Sequence, residues 1–105
     1  MRLLLSLAAG LSITAHVVGD ARADNPQRGR ALAEKHCAMC HAIERQGESP
    51  LRIAPPFRSL HFRYPVDSLQ EALAEGIMTG HPQMPMFRFS PRDVGDLIAY
   101  LKTLE

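Results

Sequence analysis

Only two cysteines occur in the 105 residues, at positions 37 and 40, and a pair so close cannot close a long loop, so a disulfide framework is excluded. No apolar run reaches the roughly 18 residues a membrane span requires. The longest, Leu3 to Val18, is interrupted by Ser6, Gly10, Ser12, Thr14 and His16. Nor is there a surplus of one charge, with 12 Lys and Arg against 11 Asp and Glu. That balance argues against nucleic acid or an anionic bilayer as partner, since both select a strongly basic surface. The alternating pattern of a half-buried strand is missing, as are internal repeats and low-complexity tracts. The expected class is therefore all-α in one domain.

The chain opens with a leader in which Arg2 precedes the apolar run and the small-residue triplet Ala21-Arg22-Ala23 ends it. This is the pattern of a signal peptide over residues 1–23, cleaved before Asp24. The leader has no Cys for lipid attachment and no Arg pair for twin-arginine export, so general secretion and a periplasmic destination are expected, without stable membrane insertion. Cleavage removes Arg2, Arg22 and Asp20, leaving ten basic and ten acidic residues on a domain covering residues 24–105. A domain of that size is near the limit where side chains alone supply enough core, and such chains recruit a disulfide, a metal or a cofactor.

Asp24 or Asn25 can cap a helix with Pro26 in its first turn, running towards Cys40. Gly29 interrupts its good helix formers and suggests close packing against another helix. From Arg45 to Arg63 periodicity is lost, with Gly47, Pro50, Pro55 and Pro56 preventing a long regular element. The apolar members Leu51, Ile53, Phe57, Leu60 and Phe62 are expected to bury against a core or cofactor. Asp67-Ser68-Leu69-Gln70 reads as a capped helix start in the manner of a capping box, with Gly76 as its end and Leu69, Ala72, Leu73 and Ile77 on its buried face. Met78 to Phe89, with Gly80, Pro82 and Pro85, reads as a loop. Ser90 caps a last helix whose first residue is Pro91 and whose apolar stripe is Val94, Leu97, Ile98 and Leu101.

Cys37-Ala38-Met39-Cys40-His41 has the Cys-x-x-Cys-His spacing at which two thiols add to the vinyl groups of haem while the adjacent His ligates iron. Cys-x-x-Cys also marks thioredoxin-like redox sites and half of a zinc site. The first requires a βαβ context and the second a further ligand pair, for which only His61 and His81 are available. A haem held by one His needs a second axial ligand or an open position. Met84, flanked by prolines in His81-Pro82-Gln83-Met84-Pro85-Met86-Phe87, is the candidate, with Met86 its rival. Met39 and Met78 are expected to pack against apolar surface, as is Met86 unless it takes that place. His36, His61 and His81 are expected to be solvated.

The whole of residues 24–105 resembles a small bacterial class I c-type cytochrome: a helix leading into Cys-x-x-Cys-His, a Pro-bearing loop, a Met-Pro loop, and an amphipathic last helix. The tail Asp96-Leu97-Ile98-Ala99-Tyr100-Leu101-Lys102 is similar to the last helix of mitochondrial-type cytochrome c. The resemblance implies three to four helices wrapped around one covalently bound haem c, with iron held by His41 and Met84. It implies that Gly29 lets the first helix cross the last near Leu97 and Tyr100. Ala54-Pro55-Pro56-Phe57 resembles the family's Gly-Pro-x-Leu element, whose proline carbonyl accepts a hydrogen bond from the ligating His. That role is carried to Pro55, with Pro56 as the alternative. Tyr64, Arg58, Arg63 and Arg88 are candidate partners for the haem propionates.

The expected function is single-electron transfer by an outer-sphere route at the exposed haem edge, at high potential, and not enzymatic catalysis. Its partners would be a donor dehydrogenase or cytochrome complex and an acceptor oxidase or reductase. The alternatives are a dedicated electron-transfer subunit of a periplasmic oxidoreductase complex, and a haem enzyme or gas sensor with an open sixth position.

Overall fold

The computed structural model describes residues 8–15, 23–76 and 84–105. The expectations for Ile77, Met78, Gly80, His81 and Pro82, and those for the leader outside 8–15, lie outside the described residues. Among the described residues the regular structure is helical: α1 (Pro26–His36), α2 (Gln70–Glu75) and α3 (Pro91–Lys102), with 3-10 segments at Phe57–Phe62 and Val66–Leu69.

Helix α1 starts where the Asn25 side chain accepts from the Arg28 amide at 3.1 Å, with Pro26 in the first turn. It ends at His36, short of the expected run towards Cys40. Cys37 leaves the helical region, and residues 37–40 form a separate turn closed by Cys40 N–H and His41 N–H, both donating to the Cys37 carbonyl. Helix α3 opens as its sequence predicts, with Ser90 Oγ accepting from the Asp93 amide at 3.2 Å and Pro91 next.

The start of α2 differs from expectation. Val66–Leu69 forms a 3-10 turn behind Pro65, α2 begins only at Gln70, and no side chain caps it. Gln70 Nε2 donates to the Asp67 carboxylate at 3.5 Å instead of reaching back to a backbone amide, and the same Asp67 oxygen pairs with Lys102 of α3 at 2.9 Å. Gly76 does end the helix, at φ 108°, a conformation other residues adopt only with strain.

Helices α1 and α3 cross at Gly29. A Cβ there would lie 1.9 Å from the Asp96 carbonyl oxygen and 2.9 Å from the Tyr100 Cβ, so only a hydrogen side chain admits the contact. The crossing is fastened by the Asp96 carboxylate, which is 1 % exposed. It accepts from the Asn25 amide at 2.7 Å and from Arg28 Nη1 at 2.8 Å. Arg28 also meets Asp93 at 2.6 Å, and its hydrogen bonds to Asp96 and then Asp93 push its pKa above the ordinary value. A buried carboxylate requires such partners. Further along, Tyr100 OH donates to the Ile43 carbonyl at 2.5 Å, tying α3 to the chain that follows the cysteine turn.

The core joins Ala33 of α1, Leu73 of α2, and Val94, Leu97, Ile98 and Leu101 of α3 to Ile43, Phe57, Leu60 and Val66. Of the apolar residues between Arg45 and Arg63, Phe57 and Leu60 bury as expected. Phe62 and Ile53 do not, being 82 % and 59 % exposed. The 3-10 segment accounts for Phe62: with three residues per turn, Phe57 and Leu60 share its inner face and Phe62 falls outside it.

Candidate functional site

The core is not closed on itself. Phe57, Leu60, Leu73, Leu97 and Leu101, all buried, also line a cavity of about 540 Å³, within the size range of small-molecule and cofactor sites. The same cavity is bordered by Cys37, Cys40, His41, Pro55 and Met84. These five candidate site residues therefore meet at one place, although together they span nearly fifty positions of the chain.

The cysteine turn brings its side chains there by local backbone bonding. His41 N–H to Cys37 O at 2.9 Å and Cys40 N–H to Cys37 O at 3.1 Å wind one tight turn, and Leu51 N–H to Cys40 O at 3.1 Å pins it to the following loop. His41 Nδ1 lies 2.8 Å from the Pro55 carbonyl oxygen. A carbonyl only accepts, so Nδ1 carries the proton and Nε2 keeps a free lone pair, the state a metal ligand requires. The Pro56 carbonyl is engaged otherwise, accepting from the Ser59 amide at 2.9 Å and the Ser59 hydroxyl at 2.7 Å. Phe57 lies beside the His41 ring at 5.0 Å between centroids. Its amide is bonded to the Ala42 carbonyl at 2.9 Å, which holds the proline loop over the cysteine turn.

Both cysteines are free thiols and partly buried. Burial pushes the Cys37 thiol up to about 11, with Cys40 adding to the rise. Thioredoxin-like sites lower this value to make a thiolate, so the Cys37 environment suits a neutral sulfur, as in a thiol or a thioether. Among the described residues no group of three or more His, Cys, Asp or Glu could hold a metal ion, and His81, one of the two further zinc candidates, lies outside them. Two sulfurs, an imidazole with a free Nε2, a thioether and hydrocarbon walls fit a haem attached at Cys37 and Cys40.

The remaining expectations divide. Arg63 and Tyr64 border the cavity, whereas the Arg58 guanidinium is spent on the Gly47 carbonyl at 2.7 Å, and Arg88 is exposed and absent from the lining. Met39, expected to pack, is 87 % exposed, whereas Ala38, the other residue between the cysteines, packs against the core. Met86 is 57 % exposed but rests on Gly76. His36 and His61 are half-buried, less solvated than expected. His36 packs against Phe87 and Phe89, and His61 lies 4.0 Å from Phe62 between ring centroids with a buried Nδ1. The Asp96 fastening was missed altogether, since an acid on the last helix of an amphipathic pattern reads as a solvated face.

Comparison with known proteins gives one family. The family model for cytochrome c matches residues 26–105. A protein called cytochrome c-553-like from Synechocystis sp. is 35 % identical over 78 residues, covering 73 % of this chain and 67 % of its own length. Cytochrome c-552 from Bradyrhizobium diazoefficiens is 32 % identical over 100 residues, covering 95 % of this chain and 89 % of its own.

Proposed function

Because the chain belongs to the cytochrome c family, we propose that it is an exported carrier in which His41 and Met84 are the two axial ligands of the haem. The chain is a small class I c-type cytochrome that attaches haem c covalently and exchanges electrons with redox partner proteins, and it is not an enzyme.

The observation that carries the finer reading is the single cavity shared by the Cys37–His41 turn and Met84. When bound, haem iron supplies a one-electron couple. The chain's own contribution is to keep the ligands still: Pro55 fixes the His41 ring through its carbonyl, and the hydrocarbon walls exclude water. The Met84 thioether is a soft, weak donor, and it and the apolar walls both favour the lower metal charge, which raises the potential. Pro55 thus acts by orienting His41 and raising its basicity. Met39 and Ile53, both exposed, border the same cavity and offer the small apolar contact that transient redox partners use.

Export is supported by the composition of residues 1–23. Leu11 and Ile13, within it, are 89 % and 87 % exposed and add nothing to the core. The Bradyrhizobium relative aligns over a share of this chain too large to leave that leader out. Among the described residues no helix is long and apolar enough to cross a membrane. On the leader's pattern we take the periplasm as the site of action, with a donor dehydrogenase or cytochrome complex and an acceptor oxidase or reductase as partners.

The test is a reductive titration of the native holoprotein under carbon monoxide. A closed six-coordinate iron takes up one electron reversibly and binds no carbon monoxide. Binding without denaturant would contradict the paired ligands and favour a sensor or haem enzyme.

A further inference from the structure

Met84 belongs to a loop, residues 84–89, which is attached to the rest of the domain at specific points, with Phe89 packed against the core. At its end the Phe89 amide donates to the Leu73 carbonyl of α2 at 2.9 Å. In its middle Met86 lies on Gly76, where a Cβ would come within 2.9 Å of Met86 Sδ. The attachment to α1 is aromatic. The His36 ring lies 5.5 Å from that of Phe87, inclined by 64°, and 5.4 Å from that of Phe89, inclined by 71°. Phe87 and Phe89 lie 5.4 Å apart and nearly parallel. These are the edge-to-face and offset-stacked geometries that aromatic rings prefer. His36, Phe87 and Phe89 all border the cavity that Met84 borders.

His36 is also the last residue of α1 and the neighbour of Cys37. Its position is fixed from behind by the Gly29 crossing, and one helix end therefore holds both the cysteine turn and the loop of the sixth ligand. We propose that His36 is a positioning residue for Met84, holding residues 84–89 against the cavity through the rings of Phe87 and Phe89. This rests on the reading of Met84 as an axial ligand. A thioether is a weak donor, so the fraction of time the sixth position is closed depends on how strongly the loop is seated. An added ligand that competes with Met84 reads that fraction directly, because its apparent affinity scales with the population of the open loop.

The experiment is titration of the ferric holoprotein with imidazole. His36→Ala is expected to tighten apparent binding by about tenfold through loss of two ring pairs, and His36→Phe, which keeps a ring, to restore wild-type affinity. Met84→Ala sets the upper limit of tightening. Tyr100→Phe weakens the fold away from the loop and is expected to leave imidazole affinity unchanged. If Met84→Ala binds imidazole no more tightly than wild type, the ligand assignment fails regardless of His36. If Met84→Ala tightens binding and His36→Ala does not, or if Tyr100→Phe tightens it as much as His36→Ala, the positioning role is overturned. Should His36→Ala fail to yield a haem-bearing protein, Phe87→Leu carries the same test from the loop side, with tighter binding expected and unchanged binding overturning the proposal.

Discussion

The α1–α3 crossing and the 84–89 loop hold the two sides of one cavity by different means. The crossing is a contact with no tolerance: Gly29 against the Asp96 backbone, a buried carboxylate with its amide and guanidinium donors, and the Tyr100 hydroxyl on the Ile43 carbonyl. The loop is seated by ring packing, one backbone hydrogen bond and a partly exposed methionine. Hydrogen bonds buried without alternative partners are expensive to lose, whereas ring contacts at a surface loop are weak and separable. The difference suits the proposed ligand pair: the His41 ring is set by its hydrogen bond to the Pro55 carbonyl, and the proposal predicts that the Met84 side loosens without unfolding the domain.

The comparison can be broken first at the attachment point. Cys37→Ala removes one of two sulfurs, and the expected outcome is severely impaired covalent haem attachment, read by haem staining of the denatured protein. Next is the crossing itself. Gly29→Ala places a Cβ against backbone that cannot move aside, and a loss of about 3 kcal/mol is expected, measured by denaturant unfolding of the holoprotein. A smaller step on the same side is Tyr100→Phe. It leaves the buried Ile43 carbonyl without its donor for about 1 kcal/mol, in the same assay and with the optical spectrum unchanged. Smallest is Met39→Ser, an exposed substitution expected to alter stability by less than about 0.5 kcal/mol. If the cavity mouth is where partners dock, that variant slows electron exchange with a redox partner while its potential stays at the wild-type value.

The same division governs how much could be read from the sequence. Helix α3 was legible throughout, because Ser90, Pro91 and a 3.6-residue apolar stripe agree on one answer. Gly29 was legible as a close approach, the family resemblance pointed it at the last helix near Leu97 and Tyr100, and the geometry meets that at Tyr100 and adds the Asp96 backbone. The cysteine turn was read as part of a helix because Cys-x-x-Cys spacing suits one helical turn. The chain leaves α1 at His36 yet makes that turn separately, which no local propensity encodes. Asp67-Ser68-Leu69-Gln70 carried the pattern of a capping box, whereas Val66–Leu69 forms a 3-10 turn behind Pro65. Residues whose role depends on distant chain were the ones missed: Asp96, whose donors come from seventy positions away, and His36, whose partners come from a loop with no periodicity. The site was more legible than its support, because ligands must be particular residue types, whereas supports need only the right shape.

The central claim is that His41 and Met84 both hold the iron. The direct measurement is the oxidised optical spectrum of wild type and Met84→Ala, searched for the weak far-red band of a methionine-to-ferric-iron bond. The account predicts the band in wild type and its loss in Met84→Ala with haem still covalently attached. A wild-type spectrum without the band, or a band that survives Met84→Ala, would contradict it.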